Sequence, residues 1–287
     1  MSEPVIGVIG GSGLYEMEDL EVIRTVEVDT PFGSPSAPLV EGRMSGARLF
    51  FVPRHGIGHK YLPHEINYRA NIFALKKMGV DCIMALSAVG SMREHIEPGH
   101  ILIPDQFFDR TYRRISSFYG EGIAAHVVFG DPVCNNLASV LYESAVEVGA
   151  TVHKGGTYIC MEGPQFSTRA ESNTYRSWDV SVIGMTNATE AKLAREAELP
   201  YSTVALVTDY DCWHEGHDDV SVDAVIAILK QNAATAQQIV KVAARRLTET
   251  KLESVAYTAL EGAIMTHPSA IPDKIKRDLE PLIGKYV

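Results

Sequence analysis

Short apolar runs alternate with helical segments along most of the chain, and this alternation limits the fold more than any other feature of the sequence. The runs are rich in Val, Ile and aromatic residues, and several are apolar throughout, as expected for a sheet that is covered on both faces. The predicted strands are 5–9, 48–52, 80–87, 101–103, 157–161, 180–185 and 201–208. This order of strands and helices predicts an α/β fold with a mostly parallel, doubly wound sheet.

The segments between these strands carry apolar residues at helical spacing. In the first of them Ile66, Ala70, Phe73 and Met78 share one face, and Gly79 follows as the residue that ends the helix. The predicted helices are 63–78, 136–148, 189–198, 222–247 and 271–283. The sequence shows no internal repeat and no linker rich in Pro, Gly or Ser. We therefore predict a single domain over 1–287, with a C-terminal helical extension that begins at about residue 250.

Composition and charge argue against several classes of function. Of the 287 residues 46% are hydrophobic and 22% are charged, as in an ordinary globular protein. The formal net charge of −10 argues against a general nucleic-acid or anionic-membrane surface, because phosphate groups attract basic patches. The four cysteines form no CxxC pair, which argues against a disulfide framework or zinc ribbon and favours a reduced, cytoplasmic setting. We see no apolar run of membrane-span length and no basic secretory n-region.

The glycine-rich stretch G-V-I-G-G-S-G at 7–13 follows the first predicted strand. It matches neither the G-x-G-x-x-G dinucleotide pattern nor the phosphate loop that ends in G-K-[ST]. What remains is a turn with free backbone N–H groups and the hydroxyl of Ser12, which together suit a small anion. From this stretch alone, a plain strand-to-helix turn stays open as the alternative.

Two further strand ends carry groups that suit an anion. In P-R-H-G at 53–56, Arg54 brings a planar guanidinium that matches phosphate oxygens, and His55 brings a second donor. Ser87 opens the stretch S-A-V-G-S, where small residues let a ligand approach the backbone. Taken singly, these would be a salt-bridge residue, a satisfied loop histidine and a packing residue. Because ligands of α/β sheets bind beyond the carboxyl ends of strands, the three features together predict an anion site.

The histidines also raise the question of a metal ion. His55 and His59 are four residues apart, but the glycines between them break any helix that would align the pair, and no H-E-x-x-H pattern occurs. His214 and His217 suit a polar loop better than a metal site. We therefore predict no metal ion.

The stretch T-D-Y-D-C-W-H at 208–214 places two aspartates at the end of an apolar run. Residues i and i+2 of a strand point to the same side, so Asp209 and Asp211 would present two carboxylates to one small volume. Like charges at that separation repel unless a proton or hydrogen bonds relieve them. A strand-end turn or a helix cap is the structural alternative for the pair.

Together these stretches resemble the methylthioadenosine phosphorylases, a branch of the trimeric purine nucleoside phosphorylases. The resemblance runs from residue 7 to about residue 225, over the stretches G-V-I-G-G-S-G-L, D-T-P-F-G-S-P-S, P-R-H-G, N-Y-R-A-N-I-F-A-L, S-A-V-G-S-M-R, D-Q-F-F-D-R-T, E-G-P-Q-F-S-T-R-A-E-S, I-G-M-T and V-T-D-Y-D-C-W. It implies one nucleoside phosphorylase domain whose mixed central sheet is partly closed into a barrel and flanked by helices.

The resemblance also implies a role for individual residues. Those implied to bind phosphate are Ser12, Arg54, His55, Ser87, Ala88 and Thr186. Those implied to contact the nucleoside are Met185 under the ribose, Phe166 facing the base or sugar, Asp209 and Asp211 at the purine, and Glu162 as an orienting group. Those implied to set specificity are Ser167, Val222 and Val225, where valine at 222 suits a thioether. One departure is that many relatives read T-x-P-E after Met-Thr, whereas this chain reads N-A-T-E at 187–190.

The implied reaction is cleavage of the N-glycosidic bond of 5′-methylthioadenosine by inorganic phosphate, through an oxocarbenium-like sugar. Asp209 would be the general acid at N7 of the purine, with a pKa raised by burial and by its neighbour. Asp211 would accept from the 6-amino group of adenine, because an ionised carboxylate cannot donate to a 6-oxopurine. Inorganic phosphate is then a co-substrate, and we expect no cofactor, no nucleic-acid partner and no membrane partner.

Three other functions stay open on the sequence alone. They are a phosphorylase of adenosine, inosine or methylthioinosine, a purine-sensing module without turnover, and a nucleosidase that uses water. The carboxylate of Asp211 argues against 6-oxopurines, and Asp209 beside an anion site argues against a sensor. The resemblance implies a homotrimer, with a dimer of trimers as a further alternative, in which a neighbouring chain completes each site through His126 or the stretch after Ser269.

Overall fold

A large mixed sheet with helices on both faces makes up the fold. The computed structural model describes residues 3–11, 14, 17, 19–214 and 222–287, except for the side chains of 222–227 and 229–231. The strands are β1 Val5–Gly10, β2 Glu21–Val26, β3 Leu39–Met44, β4 Ala47–Pro53, β5 Cys82–Ser91, β6 Ile101–Ile103, β7 Gln106–Asp109, β8 Val152–Lys154, β9 Thr157–Cys160, β10 Val180–Gly184 and β11 Tyr201–Asp209. The helices are α1 Tyr68–Lys77, α2 Asn135–Glu147, α3 Arg169–Ser177, α4 Asn187–Glu196, α5 Val222–Glu249, α6 Asp273–Asp278 and α7 Glu280–Ile283.

Strand β5 is the strand around which the sheet is organised. Its first half lies between β1 and β11, both parallel to it. Its last two residues, Gly90 and Ser91, pair instead with antiparallel β10. From β1 the sheet continues through β4 and β3 to β2. The sheet therefore branches at β5, and the functional residues discussed below lie along this strand and its neighbours.

Beyond the branch, the strands close most of a ring. β5 pairs with β11, β11 with β6, β9 with β10, and β10 with β5. The two ends of this arrangement approach each other, because β6 pairs with parallel β8, β7 pairs with parallel β9, and short connections join β6 to β7 and β8 to β9. Val89, Leu102, Tyr158, Val182 and Ala205, from strands around the ring, form one buried apolar cluster. The mixed sheet is thus partly closed into a barrel, as the resemblance implied.

The expectation of a doubly wound, mostly parallel sheet is wrong for part of the molecule. β10 runs antiparallel to β5, β6 runs antiparallel to β11, and β2, β3 and β4 form an antiparallel meander. An apolar run reports that a strand is covered on both faces, and it carries no information about the direction of the neighbouring strand. β2 was not predicted because nearly all of its residues are exposed.

Helices cover the two faces of the sheet with two separate apolar cores. α2 and α5 contribute Leu141, Ile239 and other side chains to one core, and α1 and α4 contribute Ile72, Leu193 and others to the second. The C-terminal segment packs onto the second core through Leu282 and its neighbours. The predicted helix 271–283 is two short helices, α6 and α7, because Pro281 has no N–H to continue the hydrogen-bond ladder.

Within the described part of the chain, no helix has the length and apolar character needed to cross a bilayer.

Candidate active site

The parallel pair β5 and β11 brings the end of one strand against the other. Asp209, the last residue of β11, lies opposite Gly90 after a shift in register. A Cβ atom at Gly90 would lie 2.8 Å from Oδ1 of Asp209 and 3.3 Å from the backbone N of Asp211. Real Cβ atoms essentially never approach other heavy atoms at 2.8 Å, so a larger residue here would force the carboxyl group of Asp209 to move. The small residues in S-A-V-G-S therefore make room for the carboxyl group of Asp209.

The carboxyl group of Asp209 is half-buried and has two hydrogen-bond partners. Its Oδ1 accepts from the backbone N–H of Asp211 at 2.8 Å, and its Oδ2 lies 2.7 Å from the hydroxyl of Thr208. Burial raises the pKa of Asp209, and the charge of Asp211 adds to this, whereas the two hydrogen bonds oppose it. The net pKa is raised, which is the direction needed for a carboxyl group that acts as an acid near neutral pH.

Asp211 lies close to Asp209 for a different reason from the one expected. β11 ends at Asp209, and Asp211 occupies a left-handed conformation with φ of 53°. The two residues are held together by the turn hydrogen bond to Oδ1 of Asp209 and not by strand alternation. Burial raises the pKa of Asp211, while the nearby hydroxyls of Ser172 and Ser167 and the N–H of Cys212 oppose the shift. A buried carboxyl group at this position suits recognition of a hydrogen-bond donor.

Arg54, at the end of β4, is buried and paired with a glutamate that the sequence analysis had named only as part of N-A-T-E. Nε and Nη2 of Arg54 both bind the carboxylate of Glu190 in α4, the second at 3.1 Å, and Nη1 donates to the carbonyl of Leu86 at 3.0 Å. Burial lowers the pKa of Arg54, but the charge and hydrogen bonds of Glu190 more than offset this and leave it raised. The guanidinium is therefore a permanent cation with one N–H group on each terminal nitrogen still available for a ligand.

A buried hydrogen-bond network connects this ion pair to Thr186. Tyr201 donates its hydroxyl to Oε2 of Glu190 at 2.8 Å, and Asn187 donates to the Tyr201 oxygen at 2.7 Å and to Oγ1 of Thr203 at 3.0 Å. The hydroxyl of Thr186 lies 3.3 Å from Oδ1 of Asn187. Asn187 is the first residue of α4, and its amide links Thr186 to Arg54 through Tyr201 and Glu190.

His55 lies beside Arg54 in a defined protonation state. Its Nδ1 is 2.9 Å from the carbonyl oxygen of Tyr61, and since a carbonyl only accepts, Nδ1 carries the hydrogen. Burial, together with the charges of Arg54 and His59, lowers the pKa of His55 to about 4, although the hydrogen bond to the Tyr61 carbonyl opposes this shift. At neutral pH the ring is therefore uncharged, and its Nε2 accepts hydrogen bonds. The expected second donor is thus not provided by Nε2.

Ser87 and Ala88 follow Leu86 on β5, and so lie next to the carbonyl that binds Arg54. Ser87 is buried, and its hydroxyl lies 3.5 Å from that of Tyr158. Ala88 is half-buried. The structure thus places Arg54, which follows β4, beside this part of β5. His55 is the next residue in the chain. Thr186 joins them through the network of α4.

The backbone of Met185 is fixed by an arginine that the sequence analysis missed. Nη1 of Arg114 donates to the Met185 carbonyl at 2.6 Å and to the Tyr68 hydroxyl at 2.9 Å, while Nη2 donates to the Glu162 carbonyl at 2.7 Å. The carboxylate of Glu162 accepts from the N–H of Tyr112 at 2.8 Å. Arg114 and Glu162 are buried together and hold the stretches that carry Met185 and Phe166. No spacing rule marks Arg114, because its partners lie far away in the sequence.

The remaining predicted residues differ in what the structure shows. Phe166 is 45% exposed, which argues against the alternative that it packs in the core. Ser167 lies beside the Asp211 turn, because its carbonyl accepts from the Cys212 thiol at 3.3 Å. Ser12 lies outside the described residues, and Val222 and Val225 lie in α5 with side chains outside the described set.

No group of three or more His, Cys, Asp or Glu side chains among the described residues is arranged to hold a metal ion. The four cysteines, all within the described residues, form no disulfide bond.

Comparison with known proteins identifies the family. The model of the phosphorylase superfamily matches residues 5–245. The chain is 61% identical to S-methyl-5′-thioadenosine phosphorylase of Geobacter sulfurreducens, over 99% of this chain and 100% of that protein. A methylthioadenosine phosphorylase from an antarctic soil metagenomic library superposes with a TM-score of 0.94 at 45% identity, over 98% of this chain and 99% of that one. A mutant adenosine/methylthioadenosine phosphorylase of Schistosoma mansoni, solved with methylthioadenosine, gives 0.84 at 30% identity over 95% and 100% of the two chains. The chain therefore belongs to the phosphorylase superfamily and, within it, to the family of the S-methyl-5′-thioadenosine phosphorylases.

Proposed function

We propose that this protein cleaves the N-glycosidic bond of 5′-methylthioadenosine with inorganic phosphate, and so gives adenine and 5-methylthioribose 1-phosphate. The observation that carries the proposal is that β5 borders two different chemical groups. Near its end lies Asp209, a half-buried acid with a raised pKa. At its middle lie Arg54 and the hydroxyl of Ser87, which suit an anion. Phosphorolysis, the activity that the names of the relatives describe, needs both an acid at the purine and a site for phosphate.

The phosphate would bind at the middle of β5. Arg54 offers its two remaining N–H groups, Ser87 and Thr186 offer hydroxyls, and the backbone at Ala88 offers close approach. Ser12 would add a further hydroxyl from the glycine-rich turn. Nε2 of His55 would accept a hydrogen bond from the one phosphate oxygen that stays protonated near neutral pH. Fixing the phosphate on one face of the sugar removes the need for a random encounter with the anomeric carbon.

The purine would bind at the end of β11. As the bond to the sugar breaks, the electron pair passes to the purine, and Asp209 gives its proton to N7 so that adenine leaves neutral. Asp211 accepts from the 6-amino group. Met185, held by Arg114, would lie under the ribose, and Phe166 would cover the base or sugar. Ser167, Val222 and Val225 would select the 5′-methylthio group.

Adenosine is the second candidate substrate. The Schistosoma neighbour is described as an adenosine/methylthioadenosine phosphorylase. Adenosine differs from 5′-methylthioadenosine only in the group at the 5′ position, whereas inosine and methylthioinosine carry an oxygen at position 6 that Asp211 disfavours.

The test is adenine release from 5′-methylthioadenosine with and without phosphate, beside adenosine, inosine and methylthioinosine. We expect release that needs phosphate, favours the methylthio substrate and is unchanged after dialysis against EDTA. Asp209→Asn should lower kcat by about a hundredfold or more, because it removes the acid and keeps the shape. Release without phosphate would make the protein a hydrolase, and full activity of Asp209→Asn would remove Asp209 from the acid role.

We further propose a cytoplasmic homotrimer in which a neighbouring chain completes each site. Support comes from large exposed apolar side chains on the segments near Glu162 and His126, among them Tyr112 at 78% and Val128 at 81% exposed. His126 and the stretch after Ser269 would reach the neighbour's site. Light scattering should give three times the 31.4 kDa of one chain, or six times for a dimer of trimers. A catalytically active monomer would contradict this proposal.

The C-terminal extension belongs, in this proposal, to one nucleoside phosphorylase domain that spans 1–287. Its support is the packing of Leu279 and Leu282 onto the same apolar core as α1 and α4. A single cooperative unfolding transition is the expected result, and two separate transitions would speak for a second domain.

A further inference from the structure

The hydroxyl of Thr208 lies between two oxygen atoms that differ in whether they can donate a hydrogen bond. Thr208 is buried beside Asp209, and its Oγ1 is 3.2 Å from the carbonyl oxygen of Val89 and 2.7 Å from Oδ2 of Asp209. The carbonyl can only accept a hydrogen bond. The carboxyl group accepts when it is ionised and also donates when it is protonated. A hydroxyl has one hydrogen and two lone pairs, so it satisfies only certain combinations of these partners.

Both protonation states of Asp209 fit this arrangement without movement of heavy atoms. With Asp209 protonated and no purine bound, the hydrogen on Oδ2 is donated to the Thr208 oxygen, and the Thr208 hydroxyl donates to the Val89 carbonyl. When N7 of the purine accepts the hydrogen of Oδ2 in place of Thr208, the Thr208 hydroxyl is free to donate to Oδ2. With Asp209 ionised, the same hydrogen turns to Oδ2. Val89 lies on β5 opposite Val207 of β11, so the pairing of the two strands holds the Val89 carbonyl near the Thr208 hydroxyl.

We propose that Thr208 is a positioning residue whose hydroxyl hydrogen turns from the Val89 carbonyl to Asp209 as Asp209 passes its proton to N7 of the purine. The inference rests on the proposed function. In that step the bond between the sugar carbon and the purine nitrogen breaks, and its electron pair stays on the purine. An oxygen of phosphate forms the new bond to the carbon. The proton leaves Asp209 for N7, and Asp209 remains as a carboxylate.

The negative charge on Asp209 thus develops beside one donor that is already aimed at it and a second donor whose oxygen atom is already in place. The N–H of Asp211 reaches Oδ1, and the Thr208 hydroxyl reaches Oδ2. Donors that are fixed before the reaction stabilise a developing charge without reorganisation. Oδ1 keeps its donor throughout, whereas Oδ2 gains one only when the proton has left.

Few other groups act on Asp209 in the described part of the chain. Asp211 is the neighbouring ionisable residue, and Glu171 of α3 in turn acts on Asp211. β5 faces Asp209 with Gly90, and β10 brings Ile183 against Gly90. These last two residues carry no charge, so the Thr208 hydroxyl is well placed to dominate the change in hydrogen bonding.

The test compares variants that differ only in the hydroxyl. Thr208→Val removes it at nearly constant shape, and Thr208→Ser restores it. Ser202→Ala is the matched control, because Ser202 lies on the same strand and its buried hydroxyl has no hydrogen-bond partner in the described structure. Thr208→Ala provides a second deletion with less bulk if the valine variant does not fold, as judged by thermal unfolding.

The first measurement is the pKa of Asp209 itself, followed by NMR of ¹³C-labelled aspartate, with Asp209→Asn used to assign the signal. Loss of a donor to the charged form should raise this pKa by about one unit in Thr208→Val. Thr208→Ser and Ser202→Ala should stay near the wild type. This measurement needs no turnover.

The second measurement is the pH profile of kcat at saturating phosphate. The proton donor must be protonated, so kcat falls as pH rises through the pKa of Asp209. In Thr208→Val this fall should move to higher pH, and kcat at the optimum should drop by about tenfold to a hundredfold, with KM for phosphate unchanged. Thr208→Ser should recover most of the loss. A role in folding alone would lower stability without moving the profile.

An unshifted Asp209 signal and an unmoved profile in folded Thr208→Val, with an active wild type, would overturn this inference and leave the proposed function intact. A shifted signal in a protein that releases no adenine would overturn the proposed function and support the coupling of Thr208 to Asp209.

Discussion

Individual residues in this site were predictable where their own chemistry marks them. Arg54 and the two aspartates stand at strand ends with side chains that suit an anion and a purine. Glu190 and Arg114 escaped prediction as partners because their contacts lie far away in sequence. Arg54 and Glu190 are 136 positions apart, and Arg114 and Met185 are 71 apart. The local sequence pattern does not predict such pairs, because their members come together only when the sheet has formed.

A side chain larger than hydrogen at Gly90 should displace the carboxyl group of Asp209. In Gly90→Ala the new methyl group would lie 2.8 Å from Oδ1 of Asp209 and 3.1 Å from Ile183, so Asp209 must move. A displacement of about 1 Å in a catalytic group can cost a hundredfold in rate, and we expect kcat to fall by about that factor. Steady-state kinetics would measure it. Gly130→Ala is the matched control, since a Cβ there meets nothing within 4 Å.

Asp211 should decide between 6-amino and 6-oxo purines. Asp211→Asn gives this buried position an amide that donates to a 6-oxo group, so the preference for adenine nucleosides over inosine should fall by at least about tenfold. The ratio of kcat/KM for methylthioadenosine and methylthioinosine is the readout. Asp211→Ala should lose activity on adenine nucleosides without gaining any on inosine. An unchanged ratio in Asp211→Asn would remove Asp211 from base recognition.

Elements were predicted well where one pattern decides them. The expected strands at 5–9, 48–52 and 201–208 agree with β1, β4 and β11 to within two residues. Strand direction was missed because a pattern of buried residues carries no information about it. β2 was missed because its residues are mostly exposed and form no apolar run. α3 was missed as well, since the sequence R-A-E-S-N-T-Y-R-S is polar nearly throughout and its helix is marked mainly by the capping box of Thr168 and Glu171.

The junction of α4 with β11 should matter for phosphate more than for the nucleoside. Tyr201→Phe removes the hydroxyl that donates to Glu190 and accepts from Asn187, and so loosens the partner of Arg54. We expect a loss of about 1–2 kcal/mol in the free energy of unfolding. The KM for phosphate should rise by about fivefold, with KM for the nucleoside nearly constant. Kinetics at varied phosphate concentration would measure it.

Tyr119→Phe is the control for this change. Its hydroxyl donates to the Glu196 carbonyl at the opposite end of α4, so its loss should affect stability alone. Equal changes in both Michaelis constants of Tyr201→Phe would contradict a specific link to phosphate.

At the scale of the whole molecule, stability should depend on pH through a buried carboxyl group outside the candidate site. Burial raises the pKa of Glu196 to about 7, although the hydrogen bonds that it accepts from Phe118 and Ser117 act to lower it. A raised pKa in the folded state means that folding favours the protonated form of Glu196. Its contribution to the free energy of unfolding is therefore complete below pH 4.5 and is lost as pH rises through 7. The loss amounts to about 3 kcal/mol at most.

Glu196→Gln should remove that loss. Relative to wild type, the free energy of unfolding of the variant should increase as pH rises from about 4.5 to 7, as measured by urea denaturation at several pH values. The comparison with wild type cancels the opposite effect of His55, whose lowered pKa costs stability as pH falls below 6.5. Glu121→Gln, at an exposed position, should show no such trend. Parallel curves for Glu196→Gln and wild type would contradict the assignment.

The pairing of Arg54 with Glu190 has a consequence for how phosphate reaches the protein. The guanidinium already has its counter-ion, His55 is neutral, and the chain carries a net charge of −10. The charge of Arg54 is therefore largely balanced before phosphate arrives, and directed hydrogen bonds over the last few ångströms would contribute most to holding the dianion. Dissolved salt weakens interactions mainly beyond about 10 Å at 0.1 M. The affinity for phosphate should thus be nearly independent of ionic strength, and its association should proceed without electrostatic steering.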